Sequence, residues 1–144
     1  MKNKKILGTK STVDHGIQFK STLEKTIYNC FLKHGLKLKY ESKKFTLWNG
    51  YYPTVLFYKG HKRTVNAEMS KLMDTTYTPD FILKHNGYTI IIEAKGFPND
   101  VFPLKFKMFR KTMERKRDKH KILIFELFNK AQAEEAINII YNLK

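Results

Sequence analysis

The feature that most restricts the fold of this sequence is a pair of β-rich segments separated by Asn86-Gly87. Phe81–Leu83 and Tyr88–Ile92 are rich in β-branched and aromatic residues. Asn-Gly between two such segments is the strongest short sequence signal for a β-hairpin with a two-residue turn. The sequence therefore predicts two adjacent antiparallel strands joined at this dipeptide.

A two-residue turn also determines which side chains face each other across the hairpin. His85 pairs with Tyr88, and counting outward from that pair puts Asp80 opposite Glu93 and Thr78 opposite Lys95. Cross-strand partners share a face of the sheet, with their Cβ atoms about 5 Å apart. We therefore expect Asp80, Glu93 and Lys95 on one face at one end of the hairpin.

Two directly opposed carboxylates are destabilising unless a cation lies between them. Both faces of this hairpin carry apolar residues, as in the middle of a sheet that is covered on both sides. Mg²⁺ prefers oxygen ligands and takes one or two protein carboxylates while keeping several waters. Asp80 and Glu93 are therefore candidate Mg²⁺ ligands. The alternative is an acid pair at a sheet edge that Lys95 alone neutralises.

Glu24 is a third candidate acid. It falls within the apolar arc of a predicted helix, among residues such as Leu23 and Ile27, and an acid aimed at the core is a candidate ligand or positioning group. A structural alternative is equally specific, since Ser21 and Glu24 have the spacing of a capping box.

Length and charge limit the class of protein. The chain has 144 residues and a formal net charge of +15, with a single cysteine. We expect a basic, flexible arm over residues 1–16 and one domain over 17–144, with no cysteine zinc cluster and no membrane span. This excess of Lys and Arg favours nucleic acid as the partner, although a solvated basic surface is the alternative. No secretory leader is evident, so the sequence indicates a cytoplasmic protein.

The remaining elements are predicted from periodicity and turn residues, and Trp48 is expected in the core. Residues 64–76 stay unassigned. The predictions are a helix over Phe19–His34, one or two strands within Leu36–Leu47, a strand over Thr54–Tyr58, a basic turn over Lys59–Arg63, a basic helix over Pro103–Lys116 with Leu104, Phe106, Met108, Phe109 and Met113 as apolar positions, a buried strand over Lys121–Phe125, and a last helix capped by Asn129 with Ala133, Ala136, Ile137, Ile140 and Tyr141 on its inner side.

Basic residues in two of these elements are candidate nucleic-acid contacts. The polar side of the basic helix carries Lys107, Arg110 and Lys111, which could follow backbone phosphates, while Lys105 falls near the helix start and could reach toward the acids. The basic turn adds Lys62 and Arg63. A solvated basic face is the alternative for any one of them.

These residues resemble a known family. Tyr77-Thr-Pro-Asp80-Phe-Ile followed by Ile92-Glu93-Ala-Lys95-Gly96 is similar to the PD-(D/E)XK nuclease signature. The segment Phe19-Lys-Ser-Thr-Leu-Glu24 resembles the first helix of phage Holliday-junction resolvases of the endonuclease I kind and of related phage nucleases. The similarity extends from about Gly16 to Arg110.

The resemblance implies a restriction-endonuclease-like α/β fold, with a central mixed β-sheet flanked by helices. It implies that Asp80, Glu93 and the Ala94 carbonyl bind Mg²⁺, with Mn²⁺ as a substitute, and that Glu24 completes or extends the site. Lys95 would position the attacking water. It also implies a double-stranded or branched DNA substrate and a possible homodimer, in a host-cell cytoplasm if the chain is phage-encoded.

Two other functions remain open at this stage. One is a catalytically inactive, basic nucleic-acid-binding protein with the same fold. The other is a basic structural or assembly protein that uses its charge alone. Opposed acids next to a lysine favour the nuclease, because neither alternative has a physical need for them.

Overall fold

A computed structural model describes residues 11–96 and 101–144. Its strands are β1 (Thr12–Asp14), β2 (Ile17–Phe19), β3 (Lys39–Tyr40), β4 (Phe45–Trp48), β5 (Tyr58–His61), β6 (Thr64–Ala67), β7 (Thr75–Tyr77), β8 (Phe81–His85), β9 (Tyr88–Ala94) and β10 (Ile122–Leu127). Its α-helices are α1 (Thr22–Lys33), α2 (Phe102–Glu114) and α3 (Lys130–Tyr141), and a short 3-10 helix spans Lys119–Lys121.

A four-stranded mixed sheet with the order β10-β9-β8-β3 forms the centre of the fold. β10 runs parallel to β9, and the other two pairings are antiparallel. Residues of α1 and α3 pack on one face around Phe81 and Ile92, while α2 and β4 pack on the other around Ile82 and Ile91. The predicted α/β class, a mixed sheet covered on both faces, is confirmed.

The Asn86-Gly87 hairpin has the predicted register. Both turn residues have positive φ, 48° and 80°, which is the region that a tight two-residue hairpin turn requires and that Asn and Gly adopt most readily. The ladder runs from His85–Tyr88 out to Phe81–Ile92. It stops there, because the chain before Asp80 turns away as β7 to pair with β4. The predicted Thr78–Lys95 pair is therefore wrong.

Helix ends follow their capping residues. Ser21 caps α1 by accepting a hydrogen bond from the Glu24 N–H at 3.1 Å, and Asn129 caps α3 as predicted. α2 begins at Phe102, and Phe102 is the buried residue of its first turn. The prediction that Leu104 faces the core is wrong, since its side chain is 61% exposed. Tyr141 of α3, also predicted to face inward, is exposed as well.

The segment assigned to a flexible arm is partly structured. Residues 1–10 lie outside the described residues, but Thr12–Asp14 pairs with Ile17–Phe19 across a turn at His15-Gly16. Asp14 also accepts a hydrogen bond from the side chain of Asn29 in α1 at 2.9 Å. The domain therefore includes this hairpin. Phe19, predicted as the start of the first helix, is a fully buried strand residue.

Residues 48–73 differ most from the prediction. A strand was predicted over Thr54–Tyr58, but the strand begins at Tyr58 and pairs with β6 across a turn at Lys62-Arg63. Every residue of β5 and β6 is exposed, so this hairpin projects from the domain. Trp48, predicted in the core, is 43% exposed.

The edge strand β10 is also less buried than predicted. Most of its residues are half-buried, and only Leu127 lies in the core. In the described part of the chain, no helix has the length and apolar character needed to cross a membrane.

Candidate active site

The candidate site lies where β8 begins and β9 ends. Asp80 immediately precedes β8, and its backbone carbonyl accepts a hydrogen bond from the Glu41 N–H at 2.8 Å. Its side-chain Oδ2 accepts one from the Ala94 N–H, also at 2.8 Å. Asp80 and Glu93 are 8% and 7% exposed, so the end of the sheet holds two buried acids side by side.

Glu93 is held by a tyrosine that the sequence reasoning assigned no role. The Tyr77 hydroxyl donates a hydrogen bond of 2.5 Å to Glu93 Oε2, and Tyr77 packs among the aromatic residues beneath α2. Burial raises the pKa of Glu93, while the Tyr77 hydrogen bond and the positive charge of Lys95 act in the opposite direction. A hydrogen bond from the Asp80 backbone also lowers the pKa of Glu93, so the backbone of one acid helps to hold the side chain of the other.

The two acids disfavour each other's ionised form. Burial, followed by the negative charges of Glu93 and Glu24, raises the pKa of Asp80 from 3.8 to about 8. A divalent cation between Asp80 and Glu93 would remove this penalty, because it offsets both desolvation and like-charge repulsion. The geometry therefore meets the condition set by the sequence: the carboxylates are adjacent, buried and electrostatically coupled.

Glu24 belongs to the same electrostatic environment but approaches from the α1 side of the sheet. It is 6% exposed, and its Oε2 accepts hydrogen bonds from the Tyr40 hydroxyl at 2.7 Å and the Lys20 N–H at 3.0 Å. The capping interpretation is therefore correct for Ser21, whose side chain holds the Glu24 N–H. The Glu24 carboxylate accepts from the N–H of Lys20, the residue before Ser21, and also from the Tyr40 hydroxyl. Helix capping is therefore not its whole role.

Lys95 lies beside Glu93 but is held differently from the predicted strand pairing. Its backbone N–H donates to the Leu127 carbonyl of β10 at 2.9 Å, and its side chain is directed to the start of α2. There Nζ lies 3.8 Å from the centre of the Phe102 ring, a cation–π contact. The lysine thus links the end of β9 to α2.

The carboxylate oxygens of Asp80 and Glu93 are donor atoms that suit a small, hard cation. Among residues 11–96 and 101–144, no three His, Cys, Asp or Glu side chains form a group arranged to hold a metal. Mg²⁺ does not need a third acid, since it commonly keeps several waters and one or two carboxylates. Asp80 and Glu93 therefore stay the candidate Mg²⁺ ligands. The roles of the Ala94 carbonyl and of Glu24 stay predictions, and the hydrogen bond between Ala94 and Asp80 involves the Ala94 N–H.

The predicted nucleic-acid residues lie in two places. On α2, Lys107, Arg110 and Lys111 are exposed, while Lys105 is half-buried. Lys105 follows Phe102 by three residues, so the two share a side of the helix, and Phe102 contacts Lys95. That placement is consistent with the expected reach of Lys105 toward the site.

Lys62 and Arg63 occupy the exposed turn of the β5–β6 hairpin. This turn belongs to an element whose strands contact chiefly each other rather than the central sheet. That these two residues and the α2 residues contact nucleic acid stays a prediction.

Several site residues had no signal strong enough to identify them from sequence. Tyr77 lies three positions before Asp80, and Tyr40 reaches Glu24 only because β3 pairs with β8. Glu126 is the partner of Glu93 in the parallel β9–β10 ladder, so the two side chains lie on the same face of the sheet. Glu126 and Arg110 also line a cavity of about 330 Å³. Parallel pairing between segments separated by a helix leaves no local pattern.

Comparison with known proteins adds no family assignment. A scan against models of protein families, a search of curated proteins and a search of solved structures each found no match to this chain. The residues and geometry of the candidate site are therefore the basis for a proposed function.

Proposed function

We propose that this chain is an Mg²⁺-dependent endodeoxyribonuclease with a PD-(D/E)XK core. The observation that carries the proposal is the pair of buried, adjacent carboxylates of Asp80 and Glu93, with Lys95 two residues further on. A purely structural role would not require two acids to be buried next to each other, because each raises the free energy of ionising the other.

In the proposed reaction, water attacks a phosphodiester phosphorus and the P–O bond to the leaving oxygen breaks. Asp80 and Glu93 would hold the cation, and the Ala94 N–H and the Tyr77 hydroxyl orient these two carboxylates. Mg²⁺ held there would supply charge stabilisation to the phosphate and would help to activate a water molecule. In this proposal Lys95 holds the attacking water and stabilises negative charge that develops on the phosphate.

The charge of the chain favours DNA as the substrate. A net charge of +15 attracts a polyanion, and Lys and Arg contacts with phosphates release condensed counterions. We propose double-stranded or branched DNA, including four-way junctions. The enzyme would meet this substrate in the cytoplasm, that of the host cell if the chain is phage-encoded.

The homodimer implied by the resemblance is also part of the proposal. Residues 48–73 expose many large apolar side chains, among them Val55 at 81% and Tyr52 at 72%. Exposed apolar surface of this extent is typical of an interaction site. Sedimentation equilibrium measures the oligomeric state, and a strictly monomeric protein at all concentrations would exclude the dimer without affecting the catalytic proposal.

Cleavage assays test the catalytic proposal directly. Supercoiled plasmid and a synthetic four-way junction are incubated with the protein in Mg²⁺, in Mn²⁺ and in EDTA, beside Glu93→Gln and Lys95→Ala. We expect cleavage in either metal and none in EDTA. Each variant should lose at least about a hundredfold in rate, the scale of removing one preorganised charge from an active site.

The matched control is Glu135→Gln, which removes the same charge from an exposed position on α3. It should cleave at the wild-type rate. Cleavage that persists in EDTA, or in both site variants, would reject the site. DNA binding without cleavage under any metal condition would instead favour the catalytically inactive DNA-binding protein.

A further inference from the structure

A group of lysines far apart in the sequence surrounds one end of the central sheet. Two adjacent grooves of about 390 and 160 Å³ lie there, and Lys43, Ile82 and Lys84 line both. The lysines that line one or both grooves are Lys37, Lys39, Lys43, Lys84 and Lys116.

Sheet register explains why these side chains meet. Lys39 pairs with Ile82 across the β3–β8 ladder, so both point to the face that α2 covers. Lys84 is two residues beyond Ile82 and therefore lies on the same face. Lys116 follows the end of α2 and comes within 6.0 Å of the Phe45 ring centre, and Lys43 approaches the same ring at 5.0 Å.

The lysines have little acidic compensation. Among the described residues that line the two grooves, Asp118 is the only carboxylate. In the described part of the chain, none of the five ammonium groups takes part in an ion pair. Like charges gathered on one surface repel each other, which favours an anion bound between them.

The position of the grooves relative to the acids suggests which anion. Ile82 and Lys84 are two and four residues along β8 from Asp80, which corresponds to about 7 and 13 Å at the usual strand rise. That distance is about two to four base pairs along a duplex. A nucleic-acid strand that is cleaved at Asp80 and Glu93 and runs along β8 would therefore reach Lys84 within a few nucleotides.

We propose that the β3–β8 lysine groove binds the phosphodiester backbone next to the scissile phosphate. This inference rests on the proposed function for the identity of the ligand, but its lysines are different residues from the candidate contacts on α2 and in the Lys62-Arg63 turn. The groove holds the strand and the acids cleave it. Its contacts are to phosphates, so they contribute affinity and register rather than base specificity.

Fluorescence anisotropy with a short fluorescein-labelled DNA duplex in EDTA tests the proposal without requiring cleavage. The triple variant Lys39→Gln, Lys43→Gln, Lys84→Gln is compared with the wild type over a series of NaCl concentrations. The control triple variant Lys33→Gln, Lys130→Gln, Lys144→Gln removes the same charge from exposed positions on α1, α3 and the C-terminus. Thermal melting checks that all three proteins are equally folded.

The groove variant should reduce the slope of log K against log salt by about two to three, close to one per lost phosphate contact. The control should change the slope by less than about one, because it lowers the net charge without removing contacts. Equal slopes for the two triple variants would overturn the groove. Direct binding of inorganic tripolyphosphate that depends on the groove lysines, in a groove variant that binds DNA with the wild-type affinity and salt slope, would also overturn it in favour of a free polyphosphate.

A single-turnover cleavage assay in Mg²⁺ separates failure of this inference from failure of the proposed function. The groove variant should need more protein to reach saturation yet cleave at the wild-type rate once saturated. A wild-type protein that never cleaves rejects the nuclease, whereas the anisotropy result still decides the groove. A groove variant with normal saturation rejects the groove alone.

Discussion

Replacing Asp80 by asparagine should stabilise the metal-free protein at neutral and alkaline pH. The amide oxygen of the introduced side chain can still accept the hydrogen bond from the Ala94 N–H, but the amide carries no charge to oppose Glu93 and Glu24. Removing a buried acid is usually destabilising, so this expectation is specific to an acid whose ionised form is disfavoured.

The magnitude follows from the pKa of Asp80, which rises from 3.8 to about 8 on folding. For a carboxyl group whose pKa is raised, the folded state is favoured at low pH and loses stability as pH increases from the unfolded pKa to the folded one. At about 1.4 kcal/mol per pH unit, ionisation of Asp80 in the unfolded chain costs on the order of 4 kcal/mol of folding free energy at about pH 7. Asp80→Asn removes this cost.

Urea denaturation in EDTA measures the free energy of unfolding at several pH values between about 5 and 9, a range that lies above the usual carboxyl pKa and includes the raised pKa of Asp80. The wild type should become less stable as pH increases over this range, and Asp80→Asn should be flatter and more stable above neutrality. Asp118→Asn, at an exposed position, is the control and should follow the wild type. Mg²⁺ should stabilise the wild type and not Asp80→Asn. Equal pH dependence in wild type and Asp80→Asn would refute the reasoning.

Two further predictions concern single contacts. Tyr77→Phe removes the hydrogen bond that lowers the pKa of Glu93. The acidic limb of the pH profile of cleavage should therefore move to higher pH, and half-saturation should need more Mg²⁺. An unchanged pH profile would contradict the role of Tyr77. Gly50→Ala would put a Cβ atom 2.0 Å from the Leu72 carbonyl oxygen, so limited proteolysis within residues 51–73 should accelerate, whereas Gly60→Ala, with nothing within 4 Å of the added Cβ, should not change it. Equal proteolysis of the two glycine variants would contradict the close approach.

The hairpin was predictable because its signals are local. A tight turn needs residues that accept positive φ, and Phe81–Leu83 and Ile90–Ile92, further along the two strands, alternate between two buried faces. Register then carries the prediction outward to Asp80 and Glu93. Beyond that point the predicted pairing of Thr78 with Lys95 is wrong, because the chain before Asp80 leaves the hairpin and β7 pairs with β4. That pairing depends on packing with a strand distant in the sequence.

The structure of residues 48–73 was predicted poorly, because their apolar residues do not follow a regular pattern that faces the core. Val55, Leu56 and Phe57 were predicted to lie in a strand, yet none of the three belongs to a strand and all three are exposed. Composition alone does not show whether an apolar run finds a partner within the same domain. Trp48 illustrates the same point, since a large aromatic residue usually packs in the interior but here lies at its margin.

The sequence by itself determined the tight turn, the placement of two acids next to each other at one end of the hairpin, the caps of α1 and α3 and the excess of positive charge, because each depends on neighbouring residues or on a simple count. Only the tertiary structure decided that Tyr77 holds Glu93, that Tyr40 holds Glu24 and that separate lysines border one groove. These contacts join residues far apart in the chain through strand pairing. The free energy of that pairing comes from burying whole faces of the sheet, and no local segment encodes it.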